Sequence, residues 1–140
     1  MNPKSYPKVS EVMTPSPRLI DGLATVQEAV ELMRGNNISS LVIERRHEGD
    51  EYGLIVVSDI ADKVIAANLS PVRTNVYEVM SKPVLTLDGN MDIKYAVRLL
   101  SRFGLSRALV TQGDGLVGIV TMRDMVLRYL AEAAEREASG

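Results

Sequence analysis

Apolar residues along the chain fall into short runs separated by polar and turn residues, and the runs recur in the same order twice. Val9 to Met13 and Val76 to Met80 each read as one helical turn, soon stopped by Pro15 and Pro83. A short extended piece follows each turn. Thr25 has the chemistry of an N-cap for a helix running to about Asn36, with Val26, Ala29, Val30 and Met33 on one face. Met91, Tyr95, Val97, Leu99 and Leu100 populate the counterpart helix. Ser40 to Glu44 and Tyr52 to Val57 are β-branched runs around a polar loop, and Arg107 to Thr111 and Leu116 to Thr121 flank a Gly-rich turn. Each half therefore predicts a hairpin-like strand pair. Ser58 opens a closing helix that ends near Asn68, while Thr121 or Met122 opens one running through Leu130 towards Glu137. The predicted unit is strand, helix, strand, strand, helix.

The two halves are copies of one another. Shifting the chain by 67 positions superposes Val9, Glu11, Val12 and Met13 on Val76, Glu78, Val79 and Met80, and Asp21-Gly22 on Asp88-Gly89. From Val9 to Glu44, 10 of 36 positions are identical, where background usage gives roughly two. The loop that follows is two residues longer in the first copy, after which Gly53-Leu54-Ile55-Val56-Val57-Ser58-Asp59 aligns with Gly118-Ile119-Val120-Thr121-Met122-Arg123-Asp124. The expected organisation is an N-terminal tail over 1–8, repeat one over 9–68, a Pro-bearing linker over 69–75, repeat two over 76–130 and a helical tail over 131–140.

Composition narrows the chemistry. A 140-residue chain that is 46% hydrophobic can bury a real core, and with aromatics at 4% that core is aliphatic. With 16 Lys and Arg against 18 Asp and Glu, no overall basic field attracts nucleic acid or an anionic membrane. The N-terminus lacks the apolar stretch of a signal peptide, and the expected location is the cytoplasm. Without cysteine, and with His47 as the only histidine, neither thiolate catalysis nor a zinc site is expected. His47 sits in a charged loop and is read as solvated. Met13, Met33, Met80, Met91 and Met122 read as core filling, with Met122 and Met125 as possible cleft lining.

The string Val-Met-Thr-Pro at Val12 to Pro15, together with the two aligned strings ending in Asp59 and Asp124, resembles the cystathionine-beta-synthase (CBS) domain pattern, over nearly the whole chain. The resemblance implies an α+β fold, with two β-α-β-β-α CBS repeats packed sheet to sheet with pseudo-twofold symmetry and ligand clefts between them. It implies a non-catalytic sensor that binds an adenosyl ligand, an adenine nucleotide (AMP, ADP or ATP) or S-adenosylmethionine, with no obligatory cofactor. On residue chemistry alone, Asp59 and Asp124 are either first-turn acids favoured by the helix dipole or acceptors for vicinal hydroxyls; the resemblance assigns them ribose. Thr121 can cap its helix or reach a phosphate, and Val56 at the matching place can do neither. Arg123 and Arg107 are either solvated or near phosphate, with guanidinium geometry suited to it. Ser39, Ser40 and Ser58 are the neutral equivalents in copy one, and Ser106 lies beside Arg107. Unequal clefts are expected. The resemblance further implies a homodimer through helices Thr25 to Asn36 and Met91 to Phe103, and an effector protein that the sequence does not name. The alternative is a structural dimerisation module with vestigial clefts. An enzyme is disfavoured by the lack of cysteine, usable histidine or Gly-rich phosphate loop.

Overall fold

A computed structural model describes residues 6–139. Residues 1–5 of the expected N-terminal tail, and Gly140, lie outside the described residues. The chain forms two compact units, one from Arg18–Val84, the other from the segment up to Pro17 together with Leu85 onward.

In the Arg18–Val84 unit, β2 (Leu19–Ile20), β3 (Ser40–Ile43) and β4 (Gly53–Val56) form a sheet in the order β2-β3-β4. β2 runs parallel to β3, and β3 antiparallel to β4. Between β2 and β3 lies α2 (Val26–Asn36). It starts where the Thr25 hydroxyl accepts the Glu28 N–H at 3.1 Å and the Glu28 carboxylate accepts the Thr25 N–H at 3.2 Å, a reciprocal cap. It ends at Asn37, whose φ of 52° is left-handed. Val26, Ala29 and Met33, spaced by three and four residues, bury against Leu41, Ile43 and Ile55. Val30, expected on that face, is 38% exposed because it falls at the edge of the stripe. The closing helix begins as α3 (Val57–Ile60) and continues as a π-helical stretch over Ala61–Ile65 that the sequence did not foreshadow. A left-handed Asn68 ends it.

The other unit repeats this plan. β5 (Thr86–Asp88) runs parallel to β6 (Arg107–Gln112), which pairs antiparallel with β7 (Gly115–Thr121). The helix α4 (Ile93–Phe103) starts after Asp92, whose carboxylate accepts the Lys94 N–H at 2.8 Å, so Met91 lies before the helix rather than in it. Its buried face is Ile93, Ala96 and Leu100; Tyr95, also expected there, is exposed because it lies two positions from Ile93 and so turns off the stripe. The closing helix α5 runs unbroken over Met122–Ser139.

The compact units are cut differently from the sequence repeats. The first turn, α1 (Val9–Val12), buries Val9 in the core with Leu87, Ile93 and Val120, and β1 (Thr14–Pro15) pairs antiparallel with β7. Conversely, Val76 and Val79, from the 3₁₀ turn Val76–Glu78 and the residue after it, bury in the core of the Arg18–Val84 unit, where Ser81 bridges Leu54. Each copy's opening segment thus completes the other copy's unit. Two glycines make this fit. A Cβ on Gly118 would lie 2.5 Å from the Met13 sulfur, and one on Gly53 would lie 2.7 Å from that of Met80.

Candidate functional site

In each unit the strand pair delivers the chain into the closing helix at the same place. In the second copy Arg107 stands opposite Thr121 across the β6–β7 ladder, and the Ser106 carbonyl accepts the Met122 N–H at 2.8 Å. Ser106, Arg107, Thr121, Arg123 and Asp124 are thereby gathered at one sheet end and the first turn of α5. In the first copy Ser40 stands opposite Val56 and the Ser39 carbonyl accepts the Val57 N–H at 3.1 Å, gathering Ser39, Ser40, Ser58 and Asp59 in the same way. These are two matching half-sites, one per unit.

Their polar groups are engaged differently. The Thr121 hydroxyl accepts the Asp124 N–H at 3.1 Å, capping α5. Its own proton remains free to donate. The Asp124 side chain is half-buried and makes no hydrogen bond among the described residues, so both its oxygens can accept from a ligand. Val56 has no side-chain acceptor, and here the bond runs the other way: the Asp59 carboxylate accepts the Val56 N–H at 3.2 Å. Asp59 is thus partly used by its own helix. At these corners the Met122, Asp124 and Val57 N–H groups are already bonded to Ser106, Thr121 and Ser39; the first-turn N–H groups left over favour anions. Arg107 is half-buried, while Arg123, Ser106, Ser39 and Ser58 are exposed.

Away from these half-sites the structure shows a hub that the sequence reading passed over. The Asp50 carboxylate accepts from the Arg46 backbone N–H at 2.9 Å, and one of its oxygens meets both Lys82 Nζ at 3.0 Å and Arg46 Nε at 3.3 Å. The Arg46 N–H and then the Lys82 ammonium hold the Asp50 carboxyl well below the usual carboxylate range. Beside it opens a groove of about 690 Å³, lined by Leu23, Arg45, Arg46, Tyr77, Met80 and Lys82 among others. The signal for it was present in the repeat alignment: the loop is two residues longer in copy one, and Tyr77 aligns with Ser10. His47 is exposed, and among the described residues no cluster of His, Cys, Asp or Glu could hold a metal. No helix among the described residues is long and apolar enough to cross a membrane.

Comparison with known proteins agrees with this architecture. The CBS domain family model matches twice, over 9–66 and 76–131. The uncharacterized protein MK0525 of Methanopyrus kandleri is 34% identical over 131 residues, an alignment that takes in 91% of this chain and 63% of that protein, so the chain spans less than two thirds of that relative. Among solved structures, a hexameric CBS-CP12 protein from bloom-forming cyanobacteria is 36% identical with a TM-score of 0.82, covering 86% of this chain and 70% of that one. The CBS domain pair of protein MJ0100, solved in complex with 5′-methylthioadenosine and S-adenosyl-L-methionine, superposes with a TM-score of 0.77 at 23% identity, over 91% of this chain and 98% of that one, which shows the shared fold. Two family matches, two sheets built on one plan and the repeated strand-to-helix corners make this chain a member of the CBS domain family, carrying two CBS repeats.

Proposed function

We propose that the chain is a non-catalytic regulatory module that binds an adenosyl ligand, with the half-site around Asp124 as its stronger holding point. The observation that carries this reading is the free Asp124 carboxylate beside a Thr121 hydroxyl that still has a proton to donate. A vicinal diol suits the carboxylate, and a phosphate or carboxylate tail suits the hydroxyl, the helix N–H groups and the Arg107 and Arg123 guanidiniums. The adenosyl compounds held by the MJ0100 pair support the ligand class. The Asp59 half-site offers the same backbone groups with serines in place of arginines and an acid already engaged, so it is the weaker holder. Catalysis is not part of the reading, since the sequence has no cysteine and its single histidine lies exposed in the charged loop.

Calorimetric titration of AMP and S-adenosylmethionine into the wild type, Asp124→Ala and Asp59→Ala tests this directly. Losing a hydrogen bond to a charged group costs about 1.5–3 kcal/mol, so Asp124→Ala should weaken binding about tenfold or more and Asp59→Ala clearly less. Equal, small effects of both substitutions would mean that neither acid holds the ligand.

A specific observation also favours self-association. Tyr95 and Phe103 on α4 and Val126, Leu127 and Leu130 on α5 are exposed, whereas α2 exposes only Val30 among its large apolar residues. We propose a homodimer that buries the α4 and α5 faces, and through which ligand occupancy reaches an effector protein.

A further inference from the structure

The two copies also depart from one another at the end of the first-copy sheet away from Asp59. There the C-terminal ends of the parallel strands β2 and β3, and the residues that follow them, open into the 690 Å³ groove. Ile43 pairs with Gly53 at this end and Ser40 with Val56 at the other, so the groove lies three residues, roughly 10 Å, from the Asp59 corner. At the matching place in the other unit the Gln112 side chain lies against Gly89, 3.1 Å from where a Cβ would be. The Arg18–Val84 unit instead has Glu44-Arg45-Arg46, a loop two residues longer, and Tyr77 where the other unit has Ser10.

We propose that this groove is a second small-molecule site, carried by the Arg18–Val84 unit and built for a phosphate ester that carries a planar ring. Its size is that of an ordinary ligand pocket. Tyr77, Met80 and Leu23 offer a ring face, a soft thioether and an aliphatic surface, and Tyr77 is 51% exposed. Arg45, Arg46 and Lys82 supply the cations. The Arg45 guanidinium lies over the Tyr52 ring at 4.8 Å, which orients it while leaving its N–H groups available. Arg46 and Lys82 are held in place by the single Asp50 carboxylate they share. Asp21 and Glu44 also line the groove, and with Asp50 they balance its three cations. The anion is therefore recognised by local guanidinium geometry rather than drawn by a long-range field, and Glu44 can accept hydroxyls of the ester.

This goes beyond the adenosyl reading and can be tested apart from it. The ¹⁵N-labelled full chain is titrated with phenyl phosphate and, separately, with inorganic phosphate. Saturable amide shifts are expected at Gly22, Leu23, Arg45, Arg46 and Tyr77 and not at Thr121 to Asp124. Phenyl phosphate should bind about tenfold more tightly than inorganic phosphate, and Arg45→Gln and Tyr77→Ser should each weaken it by about tenfold. Tyr77→Ser installs the residue that stands at the equivalent position of the other unit, Ser10, so folding is retained. Asp124→Ala should leave this binding unchanged whether or not it affects adenosyl ligands. Absence of saturable shifts at the groove, equal affinity for the two probes, no loss in either groove variant, or loss in Asp124→Ala would each overturn the proposal.

Discussion

Thr121 and Val56 occupy the same position in the two copies, yet only the threonine caps its helix. Thr121→Val should therefore cost about 1 kcal/mol of stability, read as a lower urea midpoint with unchanged slope. Gly118 and Gly53 make a second such pair. An added Cβ at 118 would meet not only the Met13 sulfur but the Thr14 carbonyl at 2.8 Å, whereas at 53 the next neighbours after the Met80 sulfur are 3.3 Å or more away. A thioether can swing aside and a backbone carbonyl cannot, so Gly118→Ala should destabilise by about 1–3 kcal/mol and Gly53→Ala by less. Asp50 makes the pH-dependent case. Its folded pKa lies below the ordinary carboxylate value of about 3.9, so its contribution is present above that value and lost as pH falls through the lower folded one. Asp50→Asn should thus be less stable than the wild type at neutral pH and still at about pH 4, the gap closing only in stronger acid. The caps were legible from Thr25 and Thr121 because capping is a local interaction. The Asp50 to Lys82 pair, whose partners are 32 positions apart, has no local signature.

At the scale of elements, the alignment of the repeats anticipated strand and helix order well, because each element's period and punctuation recur in both copies. It could not say which sheet the opening turns join, since likeness between Val9 to Met13 and Val76 to Met80 says nothing of what each packs on. Burial of Val9 in the second unit, and the pairing of β1 with β7, settle that point. Val9→Ala should cost about 2 kcal/mol, from two lost methyl groups and the space they leave. Amide exchange should quicken first in β6 and β7, not in β3 and β4, although Val9 belongs by sequence to the first copy. Faster exchange in β3 and β4 would contradict the exchange of opening segments. The π-helical stretch over Ala61–Ile65 also lay beyond sequence reading, because apolar spacing there fits an α-helix equally well.

At the scale of the whole molecule, a duplicated fold differs between its halves at the helix corners, where one acid is free and its twin engaged, and around the groove of the Arg18–Val84 unit, beside the longer first-copy loop. The exposed apolar residues of α4 and α5 add an expectation for assembly, since light scattering at tens of micromolar should report twice the mass of one chain, and a monomer would count against the dimer. The most direct test of the adenosyl reading is a titration of the ¹⁵N-labelled chain with S-adenosylmethionine and with AMP, following amide shifts. Saturable shifts should appear at Ser106, Arg107 and Thr121 to Asp124 at lower ligand concentration than any at Ser39, Ser40, Ser58 and Asp59. Absence of saturable shifts at the Asp124 corner with either ligand at millimolar concentration, or shifts confined to the Asp59 corner, would contradict it.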